Sequence, residues 1–273
     1  MIISTLGPNG TFSHEATLEF IKKHKLKSDI VFENTIWEVF DTVKKNKAEF
    51  GIVPLENSVG GTVRLALDAL FEYKLNIYEE LILPIKHNLV ANSSIEQIRT
   101  LYLHPQTHGQ CEKYIRMHMP HVEIIHTSSN GKSAELVSQL NDKTSGTIIS
   151  LIAAKIYKLK IIDKNVQDNV FNVTRFIIIS KKESKRTGSD RTSVAVYPQK
   201  DRPGLLHEIL GLFAKRKINL SKIESIPSKG KLGDYVFFIE FEGNKADKVV
   251  KALFKEIKEK DLLTIFGSYK RKY

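Results

Sequence analysis

An α/β chain in two units is what this 273-residue sequence predicts, and three observations carry the prediction. Strand-like and helix-like segments alternate over the first 180 residues. Residues 181–191 break that rhythm with seven charged side chains, one glycine and no large apolar residue, which reads as a linker. Beyond it, from 192 to 273, the order strand, helix, strand, strand, helix, strand is that of a ferredoxin-like βαββαβ unit.

In the first unit, Met1–Thr5 is a short apolar run followed by a helical stretch, Ser13–His24. Phe50–Val53 is a second strand candidate. Val63, Ala66, Leu67, Leu70 and Phe71 then repeat at helical spacing. The alternation continues through Leu81–Leu83, Thr100–Leu103, Val122–His126 and Gly146–Ser150, which implies a mostly parallel sheet with helices on both faces. In the second unit the strands read Thr192–Tyr197, Asn219–Ile226, Leu232–Phe241 and Leu262–Phe266, with helices Pro203–Lys215 and Lys245–Glu259. Asp201, Pro203 and Gly204 open the first of these helices. Tyr235, Phe237, Ile239 and Phe241 fall on one face of a strand.

The 41% apolar content suits a globular protein, and no apolar run approaches the roughly 18 residues of a membrane span. The N-terminus lacks the features of a signal peptide. One cysteine, Cys111, excludes an intrachain disulfide and suits a reducing cytoplasm. The net charge of +11 does not point to nucleic acid: residues 1–180 carry 20 basic and 19 acidic groups, and the excess lies beyond them. Those basic groups are not interleaved with aromatic residues as in a single-strand binding surface.

Three loops in the first unit share one design, in which a strand ends, small hydroxyl or amide residues follow, and a helix begins. They are Gly7–Ser13, Asn57–Thr62 and Thr127–Gly131. Helix N-termini present free N–H groups and a positive dipole end, so each loop is a potential anion site. Each alone reads as ordinary capping, by Ser13, Thr62 and Asn130. Three together at strand ends point to a shared small anionic ligand. Dinucleotide, P-loop, GxSxG and HExxH patterns do not occur, and Pro105 separates His104 from a helical pairing with His108, so neither a cofactor nor a metal is expected.

The runs GPNGTFS (7–13), GIVPLENSVGGTV (51–63), HPQTHGQC (104–111) and NVTRF (172–176) resemble, in order and spacing, the signatures of prephenate dehydratases. PGLLHEILGLFAKRKINLSKIES (203–225) is similar to the ACT domain that follows them. The resemblance implies a two-lobed catalytic domain of the type II periplasmic-binding-protein kind, a lyase converting prephenate to phenylpyruvate, water and carbon dioxide, and feedback by phenylalanine. A homodimer or homotetramer is implied, with no nucleic-acid or membrane partner. With the first strand at Met1, the chorismate mutase domain of bifunctional relatives is expected to be absent. Arogenate dehydratase, on the same scaffold, and a non-catalytic amino-acid sensor stay open as alternatives.

By the same resemblance the essential threonine is Thr174, stabilising the departing hydroxyl. Thr11, Asn57, Ser58, Gly61, Thr62, Gln106 and Ser128 would line the substrate pocket, with Arg175 on a substrate carboxylate and Phe176 in the core. Gly204, Leu205, Leu206 and Asn219 of one subunit would face Glu224 and Ser225 of another around phenylalanine. Two departures stand out: Ile226 replaces an arginine of the regulatory motif, and Leu205 an alanine. An arginine at position 226 is expected to tighten effector binding, and a 1–184 fragment to fold and act alone.

Overall fold

The computed structural model describes residues 1–199, 202–228 and 234–272, so the expectations for Asp201 and Leu232 lie outside the described residues. The first lobe runs β1 (Ile2–Leu6), α1 (Phe12–His24), β2 (Asp29–Glu33), α2 (Ile36–Lys44), β3 (Phe50–Asn57), β4 (Gly61–Thr62), α3 (Arg64–Tyr73) and β5 (Asn76–Pro84). Local chemistry sets these elements. Thr35 and Glu38 close a capping box at the start of α2, and Ile36, Val39, Phe40 and Val43 form its buried stripe. The second lobe comprises β6 (Asn88–Ala91), β7 (Thr100–Leu103), α4 (Pro105–Gln110), α5 (Glu112–His118), β8 (Glu123–His126), α6 (Asn130–Leu140), β9 (Ser145–Ile149), α7 (Leu151–Ile156) and β10 (Ile161–Lys164). The chain then re-enters the first lobe as β11 (Val173–Ser180).

The two sheets have strand orders β2-β1-β3-β11-β5, with β4 on β3, and β10-β6-β9-β7-β8. They are mixed, where mostly parallel sheets were expected. β11 pairs antiparallel with both β3 and β5, because the chain returns from the second lobe and enters the sheet at its cleft end. The two crossing segments bind each other: Ile85 N donates to Asn172 O at 2.8 Å and Val166 N to His87 O at 2.8 Å.

The third unit is β12 (Asp190–Tyr197), α8 (Leu205–Lys215), β13 (Leu220–Pro227), β14 (Tyr235–Glu242), α9 (Lys248–Lys260) and β15 (Leu262–Lys270), in sheet order β13-β14-β12-β15. This is the expected ferredoxin-like arrangement. Asp190 and Arg191, read as linker from their charge, belong to β12 and are buried. Arg191 reaches Glu80 of β5, and that buried partner is what makes its charge compatible with a strand.

Alternation along β14 divides the sheet's two faces. Phe237, Ile239 and Phe241 pack with Val194, Val196 and the helices α8 and α9. Val236 and Phe238, with Ala195, Ile226, Phe266 and Tyr269, join one core with Leu67, Leu70, Val53 and Ile177 of the first lobe. The third unit's sheet therefore closes over the first lobe, and a 1–184 fragment would expose that apolar layer rather than stand alone. Such a fragment should aggregate or lack a cooperative urea transition. A soluble, cooperatively folding fragment would contradict the shared core.

Gly267 lies close against the backbone of the first lobe. It has φ +134°, and a Cβ there would lie 2.7 Å from the carbonyl oxygen of Ile77. Gly267→Ala should lower stability by at least about 1–3 kcal/mol in urea melts, the cost of a strained backbone position.

Candidate active site

A cleft of about 380 Å³ opens between the lobes, within the range of small-ligand sites. Phe12, Ile36, Pro54, Val63, Ile85 and Phe176 give it apolar walls. Thr11, Gln106, Ser128, Asn57 and Thr174 also line it, as expected from sequence. No lysine or arginine lines it among the described residues.

Thr174 sits second in β11, opposite Asn57 of β3. Its Oγ1 accepts from Asn57 Nδ2 at 2.9 Å. The same amide group reaches Asn172 Oδ1 at 2.7 Å and the Val173 carbonyl at 3.1 Å. Asn57 Oδ1 accepts from Val59 N and Gly60 N, at 3.0 and 2.7 Å. Asn57 is thus fully committed to the protein. Its role in this geometry is to orient Thr174, whose hydroxyl proton remains available to a ligand in the cleft.

Two helix N-termini border the same space. Thr11 caps α1, accepting from His14 N at 3.3 Å, and Ser129 caps α6, accepting from Lys132 N at 3.1 Å. The caps expected from sequence were Ser13 and Asn130, which instead lie inside the first turns. α3 begins at Val63 with no side-chain cap, so Thr62 does not cap it either. His104 caps α4, accepting from Gln106 N at 3.3 Å, which gives Gln106 its place on the cleft wall.

Several expected site residues go elsewhere. Arg175 does not line the cleft. Side chains alternate along a strand, so Thr174 and Phe176 face the cleft and Arg175 faces the third unit. There its Nε donates to Glu80 at 2.7 Å, and its two terminal nitrogens grip Glu240 at 2.6 and 2.8 Å. Burial disfavours its charge, but Glu240, Tyr269 and Glu80 hold its pKa well above the ordinary value. Burial likewise pushes Glu240 toward protonation, and the charge and hydrogen bonds of Arg175 reverse this, lowering its pKa.

Thr62 donates to Glu224 at 2.6 Å and accepts from Lys222 at 2.9 Å, so its hydroxyl is turned to β13 and away from substrate. Ser58 is tied to Phe171 O and Val173 N, and neither it nor Gly61 lines the cleft. Of the effector residues, Gly204 opens α8 in the left-handed region at φ +82°. Leu205 beside it is buried, and Leu206 is exposed. Asn219 follows the other end of α8, where it donates to Glu242 at 3.0 Å. One subunit therefore does not bring Gly204–Leu206 and Asn219 together. Glu224 is engaged by Thr62, while Ser225 is exposed. Ile226 is buried in the layer between the units, opposite Val236 of β14, so an arginine there would bury a charge in an apolar core.

Sequence reasoning missed His87, Gln110, Phe12 and Ile85. The imidazole Nε2 of His87 lies 2.8 Å from Gln110 Oε1, while its buried Nδ1 has no hydrogen-bond partner among the described residues. Nothing in the local pattern marks it, since it becomes part of the cleft only through the crossing between lobes.

Fold and cleft together define a two-lobed α/β protein with a cleft of small-ligand size and a second, sheet-forming unit packed against its first lobe. The chain belongs to the prephenate dehydratase family: the family model of that description matches residues 3–184, and the ACT domain model matches residues 199–259. It is 40% identical to the bifunctional chorismate mutase/prephenate dehydratase of Aquifex aeolicus, over 98% of this chain and 73% of that one. Identity to the prephenate dehydratase of Methanocaldococcus jannaschii is 38%, over 98% of this chain and 97% of the relative. The crystal structure of the Arthrobacter aurescens prephenate dehydratase in complex with L-Phe superposes with a TM-score of 0.89 at 31% identity, covering 99% and 90% of the two chains.

His87 and His104 of the cleft wall, with His14 of α1, make stability sensitive to acid. Burial lowers the pKa of His14, His87 and His104 below 6.5, with His126 adding to the effect at His104. Below about pH 6.5 the unfolded chain takes up protons that the folded chain resists, so stability is present above that pH and is lost as pH falls. Urea melts at pH 7.5 and 5.5 should show the loss, and His87→Gln should make it smaller. An unchanged pH slope in the variant would contradict the assignment.

Proposed function

We infer that the chain is a prephenate dehydratase, converting prephenate to phenylpyruvate, water and carbon dioxide. The observation that carries this reading is the Thr174 hydroxyl, oriented by Asn57 at 2.9 Å in a cleft of neutral donors above an apolar floor. In the reaction the bond between ring and carboxylate breaks and carbon dioxide leaves. The released electron pair moves through the ring as it aromatises and expels the ring hydroxyl, which departs as water with a proton from solvent. Thr174 donates a hydrogen bond to that oxygen as negative charge develops on it, which is transition-state stabilisation by a preorganised donor.

Prephenate is a dianion, and the cleft is lined by neutral groups. Ser128 supplies a hydroxyl, and the starts of α1, capped by Thr11, and of α6 present free backbone N–H groups at positive dipole ends. Gln106 adds an amide. The apolar walls accept the six-membered ring, and closure of the lobes excludes water around it.

Feedback by phenylalanine belongs to the same reading, supported by the ACT match and by the L-Phe complex of the Arthrobacter relative. Residues 1–180 would carry catalysis and residues from Asp190 onward the regulation. The effector would bind between subunits, bringing Gly204–Leu206 of one to Glu224 and Ser225 of the other, in at least a dimer. Edge strand β13 leaves Ile223 exposed, and Leu206 and Tyr235 are exposed nearby in sequence, which suits such an interface. The cytoplasm is the compartment that fits a biosynthetic lyase with one buried thiol.

Incubating the protein with prephenate and reading phenylpyruvate absorbance in alkali tests the activity, and a parallel arm with arogenate tests the substrate. No product from prephenate would overturn the reading. Thr174→Val keeps the shape and removes the donor, so kcat should fall by about 10²–10³-fold with little change in substrate affinity. Near wild-type turnover would remove the assigned role.

A further inference from the structure

Two dipeptides meet across β3 and β11, and each sends one side chain into the cleft and the next into the ACT sheet. Asn57 pairs with Thr174 on the cleft side. Glu56 pairs with Arg175 on the other. The register slips immediately beside them: Arg175 stands opposite Glu56 but Phe176 opposite Pro54, so Leu55 is an extra residue in β3. At such a bulge the ladder is locally broken and side chains are re-aimed. Leu55 packs in the core shared with the ACT sheet and Glu56 turns to that sheet as well, before Asn57 returns to the cleft. Regular pairing therefore does not by itself fix the direction of the catalytic pair.

The ACT sheet adds restraints on the opposite face of these strands. Glu240 of β14 grips Arg175 through two parallel hydrogen bonds, at 2.6 and 2.8 Å. Lys222 of β13 lies 3.1 Å from Glu56, and it also donates to Thr62, the residue paired with Glu56 in β4. Neither Glu240 nor Lys222 lines the cleft.

We infer that Glu240 and Lys222 are positioning residues for the dehydration, acting through Arg175 and Glu56 to hold the Asn57–Thr174 pair in its working orientation. The inference rests on the assignment of Thr174 above. The orientation of the pair then depends in part on the ACT sheet of the same chain. Misplacing a donor by a fraction of an ångström costs rate while leaving ground-state binding intact, since the anion-binding helix termini α1 and α6 lie elsewhere on the cleft.

Full-length Lys222→Met, Lys222→Arg and Glu240→Gln, measured with prephenate and normalised to folded protein, test this. Lys222→Met should lower kcat about ten-fold with KM within about two-fold, and Lys222→Arg should restore it; Glu240→Gln should lower kcat by up to about 10²-fold. In the ligand-free protein, the side-chain amide signals of Asn57 in ¹H–¹⁵N spectra should shift in Lys222→Met and Glu240→Gln and return toward wild type in Lys222→Arg. Wild-type kcat in Lys222→Met, or a lowered kcat with unmoved Asn57 signals, would overturn the inference. Should Glu240→Gln fail to fold, Lys222→Met carries the test, because its site is less deeply enclosed. Should the wild type not act on prephenate, the functional reading fails, and the Asn57 signals still decide whether the ACT sheet holds this pair.

Discussion

Glu80, Arg175, Arg191 and Glu240 are all buried, and no one of them has a tolerable environment without the others. Glu80 lies in β5, Arg175 in β11, Arg191 in β12 and Glu240 in β14, so the network joins the catalytic lobe to the ACT sheet through its charges. Glu80 Oε2 accepts from both arginines, at 2.7 and 2.8 Å, and its Oε1 from the backbone N of Lys272 at 2.8 Å. Tyr269 and Ser193 fill the remaining valences around Glu240. Removing one member of such a set leaves uncompensated charge, at a cost of about 3–5 kcal/mol, so the two units are bound to fold against each other. The apolar layer around it, from Leu67 to Phe238, keeps water out and makes the charges mutually dependent.

That junction lies directly behind the cleft. β11 carries Thr174 and Arg175 on opposite faces, so one strand is both the catalytic support and the domain contact. The arrangement also explains how a dianion can be handled by a cleft without a cationic wall. Arg175, next to Thr174, is committed to the interface, and under the proposed function the anion would be left to neutral hydroxyls, an amide and two helix N-termini. These donors are fixed before substrate arrives, which favours developing charge more than loosely held cations would.

Much of the architecture was legible in residue pattern. The helical stripe Val63–Phe71, the alternation of Tyr235–Phe241 and the βαββαβ order all reappear in the structure, because periodicity and turn chemistry act locally. The cleft residues Thr11, Asn57, Gln106, Ser128 and Thr174 were legible through motif resemblance, as short runs at strand ends. Arg175 was misassigned from the same motif. The signal that could have corrected it was simple alternation: a strand cannot point Thr174 and Arg175 the same way. Thr62 was misassigned for a different reason, since its partners Glu224 and Lys222 lie some 160 residues on and belong to another unit.

The sequence by itself determined the elements, the break near residue 181 and the donors at strand ends, since each depends on neighbours a few residues away. Only the tertiary structure decided which way β11 runs, how far the linker extends and where each charge is spent. Arg191 looks like solvated linker until Glu80 is placed beside it, Asp190 until Asn244 is, and Ile226 looks like a lost effector contact until the shared core closes over it. The physical reason is the same in each case. A charged or apolar side chain near a domain boundary takes its meaning from the partner that buries it, and that partner is set by packing between distant segments.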